Sequence, residues 1–306
     1  MTSVRSLAFL IALLAAIAPV DADQPFDGEP IDWSRSRELA GGVRLVVLTE
    51  REPRPLFAAL VRIDLATPGL RLTSSPRRTE WVEGEFETDR QTTRDFLRDA
   101  RRRGTEMVLA FNADAFSPWP VPYAESTPTD LLGLAIADQE LVSRGSGRPA
   151  LIVPTDGPAR SESVDRSFAP EGIAAAIGGF ALCLERGRSL PSGDDLEPRT
   201  GVGVDRDGRF VFVAIVDGRQ PASHGATTEE LGRLLARCGA VTGLNLDGGG
   251  STSLVWWDPN WRRADKARLL NRPVGNSVRA QNLPPILFVP TERAVGNSMG
   301  VVLEPR

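Results

Sequence analysis

The chain has 306 residues, of which 41% are hydrophobic, and its 36 basic and 40 acidic residues give a formal net charge of -4 at pH 7. That hydrophobic content can form a core, so the chain is not disordered, and the negative charge argues against nonspecific nucleic-acid binding. The single histidine, His224, excludes a multi-histidine metal site, and two cysteines are too few for a four-thiolate zinc site.

Residues 1–22 have the pattern of a secretory signal peptide. Arg5 supplies the positive charge, Leu7–Ala18 is an uninterrupted apolar run, and small residues precede a cleavage site near Ala22. This run is short for a membrane span, which needs about 20 apolar residues. We therefore expect a secreted or periplasmic protein with no stable membrane span, whose residues 23–41 form an extended lead-in.

The first part of the domain is predicted to consist of short strands around one helix. Apolar runs predict strands at Val43–Leu48, Leu56–Leu65, Leu70–Thr73 and Val108–Phe111. A helix is predicted from about Thr88 to Arg103, with Phe96 and Leu97 facing inward and its arginines facing solvent. A proline-rich loop follows, and two further runs, Leu131–Ile136 and Glu140–Val142, are spaced as in a hairpin.

The second part continues the same pattern and contains the clearest helix. Strands are predicted at Ala150–Val153, Ile173–Ile177, Phe180–Leu184, Gly201–Val204 and Arg209–Val216, the last two joined by a tight turn at residues 205–208. The helix begins with a capping-box pattern at Thr227 and Glu230. Leu231 and Cys238 mark its apolar stripe, and Gly239 ends it. Many short strands with few helices predict a single mixed α+β domain over residues 42–306.

The two cysteines allow two interpretations. Cys183 and Cys238 could form a disulfide in an oxidising compartment. Cys238 also lies on the apolar stripe of the helix, which is typical of a buried free thiol. Spacing alone does not decide between them.

The stretch that most strongly indicates a functional site begins at the end of the mostly apolar run Val241–Leu246. It reads Asn245-Leu246-Asp247-Gly248-Gly249-Gly250-Ser251-Thr252. Consecutive glycines cost backbone entropy, and one reason to keep them is close approach of the backbone to a ligand, with amides turned toward an anion. The alternative is a tight turn between buried strands, with Asp247 bonding its own backbone.

The order of motifs around this stretch resembles the phosphodiester glycosidase family. It comprises Arg199-Thr200-Gly201-Val202-Gly203-Val204-Asp205, then Val216-Asp217-Gly218-Arg219, the helix from Thr227, and Asn245 to Ser251. The resemblance is strong over residues 199–255 and weaker over about 108–180 and near the C-terminus. It implies hydrolysis of a sugar-1-phosphodiester, and the family has bacterial members associated with exopolysaccharides.

The resemblance also implies roles for individual residues. Asp217 and Asp247, each after a predicted strand and before glycine, become the candidate catalytic carboxylates, although both could be turn formers. The candidate substrate-binding groups are Arg199, Arg219, Asn245, the amides of Gly248, Gly249 and Gly250, and the hydroxyls of Ser251 and Thr252. His224 could assist proton transfer from its loop or could simply be solvated. We expect Arg199, Asp217, Asn245 and Asp247 to converge on one pocket.

One segment departs from the family pattern. The family has Asn-Gly-Gly-aromatic-Phe where this chain reads Asn112-Ala113-Asp114-Ala115-Phe116. Asn112 matches, whereas Asp114 would narrow or recharge the pocket, or act as a new ligand or catalytic carboxylate. Near the C-terminus the sequence 272–277 is nearly repeated at 293–298, and the second copy places Asn297 before the last strand as the family does.

The leading expectation is a secreted hydrolase acting on a phosphorylated carbohydrate or glycan. The alternatives are a noncatalytic carbohydrate-binding or exopolysaccharide-assembly protein on the same fold, and an ordinary glycosidase, which would need a second acid close to Asp247. No cofactor is predicted, a divalent metal is not excluded, and nucleic acid is not an expected partner.

Overall fold

The computed structural model describes residues 26–118, 124–276, 284 and 288–304. The predicted signal peptide and its cleavage site lie outside the described residues. Across the part of the chain that is described, no helix has the length and apolarity needed to cross a membrane. The segment predicted as an extended lead-in contains a short 3-10 helix, Trp33–Arg35, and a strand, Arg37–Ala40.

Short antiparallel strands make up most of the fold. In chain order they are β1 (Arg37–Ala40), β2 (Val43–Glu50), β3 (Leu56–Asp64), β4 (Leu70–Ser74), β5 (Thr88–Asp89), β6 (Met107–Asn112), β7 (Phe116–Ser117), β8 (Pro128–Leu131), β9 (Ala135–Ala137), β10 (Glu140–Ser143) and β11 (Pro149–Pro154). They continue with β12 (Arg160–Ser163), β13 (Ile173–Gly178), β14 (Ala181–Glu185), β15 (Arg188–Ser189), β16 (Arg199–Val204), β17 (Phe210–Val216), β18 (Thr242–Asn245), β19 (Leu254–Trp257), β20 (Ala267–Leu269) and β21 (Ser298–Leu303).

The strands form four sheets. An eight-stranded sheet has the order β1-β2-β3-β17-β16-β18-β14-β15, and two five-stranded sheets have the orders β10-β9-β13-β11-β12 and β20-β19-β6-β21-β4. A small sheet, β5-β8-β7, completes the set. The described residues contain two α-helices, α1 (Thr93–Arg102) and α2 (Thr228–Cys238), so the fold is richer in β structure than the α+β prediction implied.

The core lies between the sheets. Side chains of the eight-stranded sheet, such as Val61, Val213 and Leu244, are fully buried against Leu109 of β6 and Leu151 of β11. The opposite face of the large sheet packs against α2. The large sheet is therefore covered on both faces, and the ends of its central strands are the places where side chains can reach a cleft.

The caps predicted for α2 and the buried residues predicted for α1 are present, and the start of α1 is corrected. The capping box of Thr227 and Glu230 and the left-handed Gly239 cap of α2 are confirmed. Phe96 and Leu97 of α1 are buried as predicted. Helix α1 begins at Thr93 rather than near Thr88, because Thr92 accepts the Asp95 amide as an N-cap and the preceding residues form β5.

Two other predictions have different outcomes. The hairpin of β16 and β17 is confirmed, with Val204 opposite Val211. Residues 131–136 do not form one strand: β8 ends at Leu131 and β9 begins at Ala135 in another sheet. The chain crosses between sheets at Gly133, where a Cβ atom would lie 3.2 Å from the Cα atom of Gly178.

The cysteines are free thiols. Cys183 and Cys238 are both buried and form no disulfide. They pack in the apolar cluster beneath α2. Burial raises the pKa of each thiol to about 12. The buried-thiol interpretation therefore holds for both residues.

Candidate active site

Strand β18 lies inside the large sheet, between β16 and β14. The residues that follow it form a loop that contains Asp247 and the three glycines. The Asp247 amide donates to the Ala113 carbonyl oxygen over 3.0 Å. Asn112 Nδ2 donates to the Asp247 carbonyl oxygen over 2.6 Å. The turn after β6 thus holds both backbone groups of Asp247. Asn112, which matches the family motif, helps to position Asp247, and its Oδ1 accepts from Thr200 Oγ1 and the Ser253 amide.

The three glycines after Asp247 allow close approach of other protein groups. A Cβ atom on Gly248 would lie 2.7 Å from the Pro198 carbonyl oxygen, and one on Gly250 would lie 1.7 Å from the Gly275 carbonyl oxygen. Gly249 has a left-handed φ of +59°. The Gly249 amide donates to Pro198 over 2.8 Å. The Gly248 amide bonds the Asp247 carboxylate. These two amides therefore serve the protein rather than facing an anion as the sequence suggested.

A cleft of about 350 Å³ opens above this loop. Of the four residues expected to converge, Arg199, Asn245 and Asp247 line it and Asp217 does not. The remaining lining residues are Phe180, Glu197, Arg219, Leu246, Gly248, Gly249, Gly250 and Arg293. Its volume is in the range of small-molecule sites.

Asp247 is the carboxyl group at the floor of the cleft. Burial raises its pKa to about 6, against the lowering effects of a hydrogen bond from Ser251, the charge of Arg293 and the Gly248 amide. A carboxyl group with this pKa is ionised at neutral pH and basic enough to accept a proton. Ser251, predicted to bind substrate, is thus part of the Asp247 environment.

Three arginines bring positive charge to the cleft. Arg199 forms an ion pair with Asp194, and its Nε donates to the Ala226 carbonyl oxygen over 2.9 Å. Arg219 forms an ion pair with Glu197. Arg293 is 8% exposed, and its Nη2 donates to the Gly275 carbonyl oxygen over 3.2 Å.

Asp217 does not line the cleft. It is 2% exposed, and its Oδ1 accepts from Asn271 Nδ2 over 2.9 Å while its Oδ2 accepts from the Arg272 amide over 3.0 Å. The same Asn271 Nδ2 donates to the Thr252 carbonyl oxygen over 3.1 Å. Burial raises the pKa of Asp217 to about 6. Asp217 thus holds the segment after β20, and Asn271 of that segment reaches the end of the glycine loop.

Asp114 is a second buried carboxyl group near Asp247. It is 1% exposed, and its Oδ1 accepts from the Ala115 amide over 2.8 Å. Its Oδ2 packs against Gly133 and Gly178, where a Cβ atom would lie 3.0 Å and 2.8 Å from that oxygen. Burial raises the pKa of Asp114 to about 7, and the Asp247 charge contributes to the rise. Asp114 does not line the cleft.

The other predicted residues divide between cleft and support. Asn245 lines the cleft, and its Oδ1 is buried without a hydrogen-bond partner among the described residues. His224 is outside the cleft lining, and its amide donates to Pro55 over 2.9 Å. Asn297 is fully buried, and its carbonyl oxygen accepts from the Ala113 amide over 3.0 Å. The hydroxyl oxygen of Thr252 lies 3.5 Å from that of Thr200.

Apart from Leu246, which the glycine motif contains, sequence reasoning missed three lining residues, Phe180, Glu197 and Arg293. Arg293 begins the second copy of the duplicated motif, which could have identified it. Arg293 Nε donates to Oδ1 of Asn276, in the first copy, over 2.9 Å, so the two copies meet beside the glycine loop. Phe180 follows two glycines and directly precedes β14, but Glu197 carries no comparable signal.

In the described residues, no group of three or more histidine, cysteine, aspartate or glutamate side chains is arranged to hold a metal ion. The candidate site consists of a partly buried carboxylate beside arginine guanidinium groups.

The comparison with protein families identifies the class. The model of the phosphodiester glycosidase family matches residues 107–302, and the chain belongs to that family. No curated protein matches the chain significantly.

Solved structures share the fold. The catalytic domain of zebrafish N-acetylglucosamine-1-phosphodiester alpha-N-acetylglucosaminidase, auto-inhibited by its pro-peptide, matches with a TM-score of 0.58 and 16% identity over 91% of this chain and 87% of that one. A hypothetical protein from Synechocystis has a TM-score of 0.52 and 17% identity over 86% of this chain, which spans 62% of that protein. A protein of Burkholderia pseudomallei assigned as exported has a TM-score of 0.52 and 14% identity over 82% of this chain and 74% of its own.

Proposed function

We propose that this protein is an exported hydrolase that cleaves the bond between a sugar C1 atom and a phosphodiester in a glycoconjugate or an extracellular polysaccharide. The observation that carries the proposal is the Asp247 carboxylate in one cleft with Arg199, Arg219 and Arg293. Family membership supports the reaction class. The signal-like N-terminus and the likeness to a protein assigned as exported support the location.

The chemistry requires two kinds of charge in the cleft. When the C1–O bond breaks, the departing phosphomonoester keeps the bonding electron pair, and C1 becomes oxocarbenium-like. Arginine guanidinium groups stabilise the departing phosphate through bidentate hydrogen bonds. The Asp247 carboxylate stabilises the cationic sugar and accepts the proton as water adds its hydroxyl oxygen to C1.

Phe180 and Asn245 supply sugar contacts. Phe180 lines the cleft with its side chain 43% exposed, and the Arg148 guanidinium lies 5.4 Å from its ring centroid. An exposed aromatic ring can cover the apolar face of a sugar. The unpartnered Asn245 Oδ1 accepts a hydrogen bond from a sugar hydroxyl, which relieves the cost of its burial.

One observation favours the noncatalytic alternative. Arg199 and Arg219 already pair with Asp194 and Glu197, which reduces the positive charge that they offer to a departing phosphate. The charge of Arg293 acts directly on Asp247. A protein with this arrangement could bind a phosphorylated glycan without cleaving it. Turnover separates the two functions.

The decisive experiment measures release of reducing sugar and phosphomonoester from a panel of sugar-1-phosphodiesters. Asp247→Asn keeps the shape of the side chain, so we expect turnover to fall by roughly a hundredfold or more. Affinity for the matching sugar-1-phosphate should change much less. Asp258→Asn is the control, because Asp258 is also an aspartate of low exposure but lines a different concavity.

Two results would count against the proposal. Unchanged turnover in Asp247→Asn would remove Asp247 from the chemistry. Binding of the sugar phosphates without turnover of any diester by the unmodified protein would establish the noncatalytic function instead.

A further inference from the structure

A second charged concavity lies around the loop that joins β19 to β20. This concavity, called the arginine groove, has a volume of about 480 Å³, and its lining includes Arg37, Asp258, Trp261, Arg262, Arg263 and Arg268. Four of these side chains are arginines and one is an aspartate, so the lining carries a net charge of about +3. The whole chain carries -4. The groove therefore concentrates positive charge on an acidic protein.

Three of these four arginines stack on indole rings, and only one of the three, Arg268, also pairs with a carboxylate among the described residues. The Arg37 guanidinium carbon lies 4.6 Å from the ring centroid of Trp256. Those of Arg268 and Arg263 lie 4.3 Å and 5.8 Å from the ring centroid of Trp261. Stacking on a ring orders a guanidinium group while leaving its N–H donors and its charge for a ligand.

The ion pairs of the described residues show which groove arginines also pair with a carboxylate. Within residues 26–118, 124–276 and 288–304, Arg268 is the groove arginine that pairs with a carboxylate, at 3.1 Å from Asp258. Arg37, Arg262 and Arg263 have no such pair there and are exposed.

The neighbouring concavity beside α1 shows the opposite arrangement. Its volume is about 500 Å³, and Arg98, Arg101 and Arg102 line it. Each of these arginines pairs with an acidic side chain, namely Asp265, Glu106 and Asp99. A surface rich in arginine is thus neutralised at one place and left charged at the other.

The loop that carries the groove is held in place by its own hydrogen bonds. Asp258 Oδ1 accepts from the Asn260 amide over 3.0 Å, and the Asp258 carbonyl oxygen accepts from the Trp261 amide over 3.0 Å. Lys266 Nζ donates to the Trp261 carbonyl oxygen over 2.5 Å. The groove is therefore formed before a ligand arrives, which lowers the entropy cost of binding.

We infer that the arginine groove binds a strand of acidic polysaccharide, at a site separate from the cleft. Unpaired planar guanidinium groups match the carboxylate, sulfate or phosphate groups of such a polymer. A membrane surface fits less well, because Trp261 is half-buried and the large exposed apolar side chains lie elsewhere. Nucleic acid fits less well, because the rest of the protein is acidic. The inference is independent of the proposed hydrolysis.

The test is retardation of the purified protein in native gels containing a polysaccharide. Polygalacturonate presents carboxylates, dextran sulfate presents sulfates, and plain dextran is neutral. We expect retardation by at least one of the two polyanions and none by dextran. The double variant R262A/R263A should lower the affinity for the polyanion, measured from the retardation, by about tenfold or more, on the scale of one charge-assisted hydrogen bond. Its thermal melting and turnover should match the unmodified protein.

R102A/R103A is the matched control, because it also removes two adjacent exposed arginines, from the end of α1. It should change the retardation constant by less than about twofold, as expected for charges outside the site. Equal losses in both double variants would show a general charge effect and overturn the site. The site would also be overturned if neither polyanion retarded the protein, or if dextran retarded it equally. It would be overturned as well if the protein bound phosphatidylglycerol vesicles but no polysaccharide, and R262A/R263A abolished the vesicle binding.

Discussion

Asp114→Asn should stabilise the protein at alkaline pH. Asp114 is a carboxyl group at 1% exposure, held against Gly133 and Gly178 in the position where the family pattern has glycine. Asparagine has nearly the same shape, keeps an acceptor oxygen for the Ala115 amide and carries no charge. The substitution therefore removes the cost of ionising a buried group and leaves the packing almost unchanged.

The size of the effect follows from the pKa. The folded pKa of Asp114 is about 7, whereas an unfolded aspartate has a pKa of about 3.9. A difference of about three pKa units corresponds to a cost of at most about 4 kcal/mol. Because the folded pKa is raised, this cost is absent below about pH 4, grows as the pH rises, and is complete above about pH 7. Relaxation reduces it, so we expect a gain of about 2 to 4 kcal/mol at pH 8.

Thermal melting at pH 4, 6 and 8 measures this gain. A gain of 2 kcal/mol or more corresponds to a rise in Tm of roughly 5 °C or more at pH 8, with almost none at pH 4. Asp207→Asn, at an exposed turn, is the control and should show no pH-dependent gain. An equal gain at all three pH values would show that it does not come from the charge of Asp114. A loss at pH 8 would mean that the charged Asp114 is compensated, with the nearby Arg148 as the candidate partner.

Three further changes test the loop, the helix and the cleft. Gly250→Ala should lower the free energy of unfolding by about 3 kcal/mol or more in urea, because its Cβ would lie 1.7 Å from the Gly275 carbonyl oxygen; near-normal stability would show that the loop can shift. Thr227→Ala should cost about 1 kcal/mol in the same assay through loss of the capping box, and an unchanged midpoint would contradict that role. Arg293→Lys keeps the charge but removes the fork, so calorimetry should show sugar-phosphate binding weakened by about tenfold, whereas equal affinity would place the phosphate elsewhere.

Local signals in the sequence predicted local structure well. The capping box of α2 and the hairpin of β16 and β17 depend on residues a few positions apart, and both are confirmed. The apolar run at residues 131–136 misled because its two ends belong to different sheets, and only tertiary contacts at Gly133 show where the chain crosses. Periodicity contains no information about such crossings.

The sequence predicted the residues of the cleft that lie on or shortly after the neighbouring strands β16, β17 and β18. Asn245 ends β18 and Asp247 lies two residues beyond it, so their proximity is encoded locally, and Arg199 lies on the adjacent strand β16. Asp217 has a similar local pattern, but its carboxylate accepts hydrogen bonds from Asn271 and Arg272 and does not line the cleft. Arg293 reaches the cleft from a segment far along the chain. Which partner satisfies a buried polar group is a property of the assembled fold, and short motifs do not specify it.

The two buried thiols have a consequence for how this protein can be made. Both cysteines of the chain are free, so folding requires no oxidant and no disulfide isomerase. A thiol whose pKa is about 12 is almost never a thiolate at neutral pH, and the thiolate is the form that oxidants and alkylating reagents attack. The same native chain should therefore form in a reducing cytoplasm as in an oxidising envelope, and handling in air should not inactivate it.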